Sequence, residues 1–122
     1  IQFLTPGVPQ VYNVGLLTGK NDEAKVKETG EGREINRHNF SVEEIEKEVG
    51  KEVVQRLIKL IEFRNDYPAF NGKFKVIDTN NNELILSWEK DNKECTLYCD
   101  LLTNKSIIKY IDDNENLSIF NI

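Results

Sequence analysis

Arg33, in the run Gly32-Arg33-Glu34-Ile35-Asn36-Arg37-His38, is the residue of this chain best suited to hold a substrate. A guanidinium presents several N–H donors in a rigid fork that matches vicinal hydroxyls or a carboxylate. Arg33 follows a glycine in a long polar loop, where Arg37 is the other arginine. Taken alone, that setting reads as an ion pair pinning the loop. His38 is the single histidine of the chain. A hydrolytic triad would need a Ser or Cys nucleophile and an acid around it, and the sequence has no nucleophile-elbow pattern. His38 therefore reads as a positioned rim or structural residue.

Other reactive groups carry less. Glu43, Glu44, Glu46, Glu48 and Glu52 lie on or beside helices at solvated positions, whereas catalytic carboxylate pairs converge in a pocket. The run Gly15-Leu16-Leu17-Thr18-Gly19-Lys20 superficially suggests a phosphate-binding loop. It fails because three residues separate the glycines where the motif needs four, and Asn21 replaces the Ser or Thr that would reach magnesium. Cys95 and Cys99 stand in an alternating, strand-like segment, which separates them by about 13 Å. A disulfide does not span that distance, so they read as small buried apolar residues in a reducing compartment. One histidine is too few for a metal site, and neither metal nor cofactor is expected.

The elements that would position these groups differ along the chain. Residues 8–14 (Val8-Pro9-Gln10-Val11-Tyr12-Asn13-Val14) are almost continuously apolar, which suits a strand buried on both faces, as in a parallel sheet or barrel. Pro9 fits only at the start of such a strand. No later segment matches it as a parallel neighbour, which implies partners supplied by sequence upstream. Residues 18–40 are polar, contain Gly19, Gly30 and Gly32, and read as one long functional loop. Ser41-Val42-Glu43-Glu44 has the form of a capping box. Helices follow over 42–65, divided at Gly50 and stopped by Asp66-Tyr67-Pro68. The second has a wide apolar arc from Val53 to Phe63.

Beyond Gly72 the period changes to two. Lys73–Ile77, Glu83–Trp88, Cys95–Asp100, Ser106–Ile111 and Leu117–Phe120 alternate, with Asn- and Asp-rich turns between them. Five short strands so spaced predict an antiparallel sheet. The chain has 122 residues and a net charge of −5, enough for one modest core. No basic cluster suggests nucleic acid, and no apolar stretch approaches the roughly 20 residues that span a bilayer. A soluble cytoplasmic protein is expected, with no signal peptide. The sequence lacks methionine and begins at Ile1, so an excised C-terminal piece of an enzyme is the expected origin.

The block Pro6-Gly7-Val8-Pro9-Gln10-Val11-Tyr12, with Val14-Gly15-Leu16-Leu17, Gly19-Lys20-Asn21-Asp22 and Gly32 to His38, resembles the sucrose phosphorylase branch of the α-amylase family. Glu43-Glu44-Ile45, Val53-Val54-Gln55, Phe63-Arg64-Asn65 and Pro68-Ala69-Phe70 continue the likeness to about residue 75. The resemblance implies an α+β fragment. Residues 1–71 would end a (β/α)8 barrel (strand 8–14, rim loop 18–40, helices 42–65), and residues 72–122 would form an antiparallel β domain. The implied reaction is retaining glucosyl transfer from sucrose to inorganic phosphate, giving glucose 1-phosphate and fructose. Its carboxylates would lie upstream of Ile1, so the isolated chain is expected to be inactive. Arg33 matches the family arginine that holds the 4-hydroxyl end of the glucosyl unit. Asn36, Arg37 and His38 match the motif as supports of the loop. Asn13 departs from the expected aromatic residue and Glu52 from an expected proline.

Three alternatives follow. The donor could be sucrose 6-phosphate or glucosylglycerate. The sheet could be a carbohydrate-binding module, but Phe74, Trp88, Tyr98, Tyr110 and Phe120 are spaced like core residues. Or the sheet is structural, covering the barrel of a parent that forms a homodimer. That last reading is favoured for residues 72–122.

Overall fold

A computed structural model describes residues 1–121. The chain divides into two compact units, one of residues 1–9 and 60–122 and the other of residues 10–59. In the first, all five expected strands form: β1 (Lys73–Ile77), β2 (Glu83–Lys90), β3 (Lys93–Asp100), β4 (Lys105–Ile111) and β5 (Leu117–Phe120). They pair antiparallel in sequence order, β1-β2-β3-β4-β5. The turns close on their own polar side chains. The Asp100 carboxylate accepts from the Leu102 and Thr103 amides at 2.9 and 3.1 Å. The Asp112 carboxylate accepts from the Asn114 and Asn116 amides and the Ser118 hydroxyl, each at 2.9 Å. Gly72, before β1, lies against β2: a Cβ there would sit 2.0 Å from the Glu89 carbonyl oxygen. Only glycine allows this approach.

Alternation then decides what is buried. On one face the registers align Phe74, Trp88, Cys95 and Tyr110 in one row and Leu86, Leu97, Ile108 and Phe120 in the next. Leu4, Phe63, Tyr67, Ala69 and Phe70 pack onto this face. Phe63 stacks on Tyr67 and Phe120 at ring distances of 5.0 and 4.3 Å. The Tyr67 hydroxyl lies 2.7 Å from the Ile111 carbonyl and 3.0 Å from that of Glu94, closing the end of the β3–β4 ladder. Burial pushes its pKa up to about 12, so it stays a donor. The Arg64 guanidinium covers the rings of Phe70 (4.4 Å) and Trp88 (5.2 Å) and reaches the Gly7 carbonyl at 3.5 Å. The buried Trp88 indole N–H donates to the Leu4 carbonyl at 2.7 Å.

Cys95 and Cys99 are free, buried and on the inner face. Four of the five aromatics expected in the core are there, and Tyr98 is not. It lies between Leu97 and Cys99, so alternation turns it to the opposite face, where it is 37% exposed.

Residues 8–66 depart further from expectation. Residues 8–14 do not form a strand. Val8 is 92% exposed, and Asn13–Leu16 is a short helix, α1, closed by Leu16 N–H to Tyr12 and Leu17 N–H to Asn13 bonds of 2.9 Å. A strand exists only where its backbone groups pair with a neighbour, and none of the five described strands pairs with this segment. The expected loop 18–40 also contains a helix, α2 (Glu23–Thr29). The capping box forms as expected at the start of α3 (Val42–Val49). The next helix, α4 (Glu52–Asp66), matches its expected span, and its Val54 is fully buried. Among the described residues, no helix is long and apolar enough to cross a membrane.

Two outcomes follow for the first unit. Trp88→Phe strands the Leu4 carbonyl and should cost about 1–3 kcal/mol in a urea titration followed by circular dichroism; an unchanged midpoint would mean that the bond contributes nothing. Burial pushes the Cys95 thiol up to about 12 and raises that of Cys99. Both thiols should resist a disulfide reagent at neutral pH and react once urea unfolds the chain. Rapid labelling of the folded protein would contradict the buried placement.

Candidate functional site

The stretch from Thr18 to Lys51, within the second unit, gathers the residues singled out for chemistry. Its loop is folded back on itself. Gly19 N–H donates to the Val14 carbonyl and Asp22 N–H to the Ile35 carbonyl, both at 2.7 Å. Asp22 caps α2 by accepting the Lys25 amide at 2.9 Å. Gly30 ends that helix in the left-handed region at φ 71°, a position that suits glycine. Gly32–Asn36 then forms a 3₁₀ turn.

Arg33 projects from this turn with its side chain 65% exposed, and its Nε donates to the Glu31 carboxylate at 2.6 Å. This is the loop-pinning ion pair that the residue suggested on its own. At the surface such a pair adds little stability. Arg37 reaches Glu34 at 3.4 Å, and Glu34 also faces Lys25 at 3.8 Å, so one carboxylate joins α2 to the 3₁₀ turn. Asn36 is the exposed last residue of that turn.

His38 links the loop to α3. Its ring meets Phe40 edge-on at 4.6 Å, and its Nε2 lies 3.2 Å from Glu44 Oε1. The other Glu44 oxygen accepts the Ser41 amide at 2.7 Å, while the Ser41 hydroxyl accepts the Glu44 amide at 3.2 Å. Those bonds, the Ser41 amide first, hold the Glu44 carboxyl below its ordinary range.

A shallow groove of about 340 Å³ is lined by Thr18, Lys20, Asp22, His38, Phe40 and Lys51, among others. At its side the Thr18 hydroxyl donates to Glu48 at 2.8 Å, and the Lys51 ammonium contacts both Glu48 and Thr18. Those bonds, that of Lys51 first, hold Glu48 low, so it stays ionised. The groove thus sets two lysines, two carboxylates and a hydroxyl around His38, and none of these is an activated nucleophile. His38 lines it, whereas Arg33 does not. Among the described residues no group of three His, Cys, Asp or Glu could hold a metal ion.

Sequence reasoning missed α2 and the Thr18–Glu48–Lys51 cluster. Both left signals. Asp22 followed by Glu23-Ala24-Lys25 and ended by Gly30 is a capped helix of strong helix formers. Glu48 and Lys51 stand at i,i+3.

The Glu44 network has a definite pH sign. Its folded pKa is depressed, so its contribution is present above the ordinary value of 4.5 and is lost as pH falls through the folded value. Glu44→Gln should therefore be less stable than the parent at neutral pH, with the difference narrowing as pH is lowered below 4.5. Ser41→Ala should cost about 1 kcal/mol at neutral pH. Thermal melts across pH check both, and a difference independent of pH would remove Glu44 from the cap.

No family model matches the chain. Individual proteins do. It is 60% identical over 114 residues to a sucrose 6(F)-phosphate phosphorylase of Thermoanaerobacterium thermosaccharolyticum, a match covering 93% of this chain and 23% of that protein. A glucosylglycerol phosphorylase of Marinobacter adhaerens is 46% identical over 112 residues, 92% of this chain and 23% of its own length. A sucrose phosphorylase of Bifidobacterium adolescentis is 41% identical over 97 residues, 80% and 19% of the two chains. The crystal structure of sucrose 6F-phosphate phosphorylase from Thermoanaerobacter thermosaccharolyticum superposes with a TM-score of 0.93 and 55% identity, covering 99% of this chain and 25% of that one. The chain therefore spans about a quarter of the length of the curated relatives it matches. By sequence and by fold it is a relative of the sucrose phosphorylase group, equivalent to one segment of such a protein.

Proposed function

We propose that this chain is the C-terminal segment of a retaining glucosyl-transferring phosphorylase acting on sucrose 6-phosphate or sucrose. The 60% identity to a sucrose 6(F)-phosphate phosphorylase is the observation that carries this reading and favours the phosphorylated donor. Sucrose and glucosylglycerol are the donors suggested by the names of the next relatives. In the whole enzyme the glucosyl unit would pass through a covalent carboxylate ester to inorganic phosphate. The nucleophile and acid would lie outside this segment.

In this reading residues 8–14 become a strand of a (β/α)8 barrel once neighbouring strands offer them a ladder. The exposure of Val8, Val11 and Tyr12 supports it, because apolar residues at that spacing are otherwise left facing water. The loop 18–40 would then stand at the C-terminal rim, where barrel enzymes build their sites. Arg33 would exchange its exposed Glu31 partner for the 4-hydroxyl end of the bound glucosyl unit. Asn36, Arg37 and His38 would support the loop, Arg37 through Glu34 and His38 through Glu44. The sheet would cover the barrel without taking part in chemistry.

The test uses the whole enzyme that contains this segment. Arg33→Ala should lower kcat/KM for the glucosyl donor on the order of a hundredfold or more, about 3 kcal/mol of transition-state stabilisation, with thermal stability unchanged. Near-parental kinetics would remove Arg33 from the site. The 122-residue chain alone should release no glucose 1-phosphate from sucrose 6-phosphate or sucrose with phosphate. Turnover by it would overturn the assignment of the missing carboxylates.

A further inference from the structure

Asn71-Gly72 is the one Asn-Gly pair of the sequence, and it takes no part in the site described above. With no side chain on the following residue, the main-chain nitrogen after an asparagine is free to attack that asparagine's own carboxamide. Asn71 is the last residue of a 3₁₀ turn, Pro68–Asn71, that leads into β1. It is exposed, and its carboxamide has no hydrogen-bond partner among the described residues. The residues around it are held. Ala69 and Phe70 are buried, and Phe70 meets the Trp88 ring edge-on at 5.8 Å. Gly72 N–H donates to the Ala69 carbonyl at 2.9 Å, and a Cβ on Gly72 would lie 2.0 Å from the Glu89 carbonyl oxygen. Lys73 is already paired with Glu89 in the β1–β2 ladder.

We propose that Asn71 is a deamidation site gated by the seating of Gly72 against β2. The step needs only water and hydroxide. The Gly72 nitrogen gives its proton to hydroxide and bonds to the Asn71 side-chain carbonyl carbon. The bond from that carbon to Nδ2 breaks, and Nδ2 leaves as ammonia with a proton taken from water. The resulting five-membered imide then takes up one water. Opening at the side-chain carbonyl leaves aspartate in a normal main chain. Opening at the main-chain carbonyl routes the chain through the side chain and leaves isoaspartate, one methylene longer. In either case one ammonia is lost and one water gained.

In the folded chain the reacting groups are kept apart. Ring closure requires Asn71 to rotate out of its helical ψ, which swings the Gly72 nitrogen toward the carboxamide. That rotation breaks the bond from Gly72 to Ala69 and pulls Gly72 from its place beside Glu89. Reaction therefore proceeds from a locally opened turn. Two demands meet at position 72. Close approach to β2 excludes any side chain there, so the residue that the sheet requires is the one that makes Asn71 labile. Isoaspartate, once formed, cannot be seated. Its extra main-chain atom lies between Phe70, held in the core, and Lys73, held in the ladder, so Gly72 no longer meets Glu89 in register. The open state becomes permanent. Aspartate at the same exposed position keeps the length of the main chain and leaves the turn intact.

Peptide-mass measurements on the full 122-residue chain test this, during incubation in mildly alkaline buffer with and without urea. The peptide holding Asn71 should gain about one dalton, and do so at least about tenfold faster in urea than in the folded chain. Asn71→Gln should abolish the gain at that peptide. Phe70→Leu, which loosens the turn and leaves Asn71-Gly72 in place, should speed the reaction without urea and leave the rate in urea unchanged. After dilution from urea, isoaspartyl chains should fail to recover the parental Trp88 emission. Asn71→Asp should match the parent in circular dichroism and Trp88 fluorescence. Equal rates with and without urea, or a Phe70→Leu chain no faster than the parent, overturn the gating. Faster conversion of another asparagine in the unfolded chain overturns the site. Isoaspartyl chains that refold with parental emission, or an Asn71→Asp chain that does not, overturn the account of the inserted methylene.

Discussion

A buried indole N–H must find an acceptor, and in this chain Trp88 finds it in the carbonyl of Leu4. Much of the first unit depends on that single bond. It places the first residues of the chain on the inner face of the sheet, where Leu4 is almost wholly buried. It also fixes the edge of Trp88, so the ring can receive Arg64 and meet Phe70 and Phe74. Arg64 in turn reaches the Gly7 carbonyl, three residues along the same segment. Two side chains thus hold the backbone of residues 4–7 by its carbonyl groups. The arginine is there for its shape: a flat guanidinium can cover two rings and still point a donor at a peptide, whereas an ammonium cannot.

The site region follows a different logic. Its residues are exposed, and local pairs hold them: Glu31 with Arg33, Glu34 with Lys25 and Arg37, Glu44 with His38. None of these pairs is buried, so each contributes little stability by itself. Their effect is geometric. They give a polar loop a defined course between two helix caps, at Asp22 and Ser41. A loop built this way can change a partner at one residue without unfolding its neighbours. Arg33 itself lies within the 3₁₀ turn Gly32–Asn36, and its exposed side chain pairs with the likewise exposed Glu31 carboxylate.

What the sequence made legible depended on how local the cause was. The sheet was readable almost to the residue because alternation and Asn/Asp turns are properties of adjacent positions. The capping box and both long helices were readable for the same reason. Tyr98 was misplaced although the alternation of Cys95, Leu97 and Cys99 already directed it outward. Helix α2 was overlooked because its apolar content is low, while its caps were in plain view at Asp22 and Gly30. The strand expected over residues 8–14 failed for a deeper reason. Its composition expresses a preference that only hydrogen-bonding neighbours can realise, and the described chain provides none. Arg33 was legible as a residue of interest, but its role was not, since fork geometry suits a sugar and a carboxylate alike.

The strand order β1-β2-β3-β4-β5 also has a temporal meaning. Each pairing in the sheet closes only a short turn, and the cost of closing a loop rises with its length. The bond between Trp88 and Leu4 joins residues 84 apart, so it must wait for a long closure. The meander can therefore zip together hairpin by hairpin before the start of the segment is captured. A polypeptide carrying this sheet would have a finished surface ready before its opening residues arrive to be fastened there.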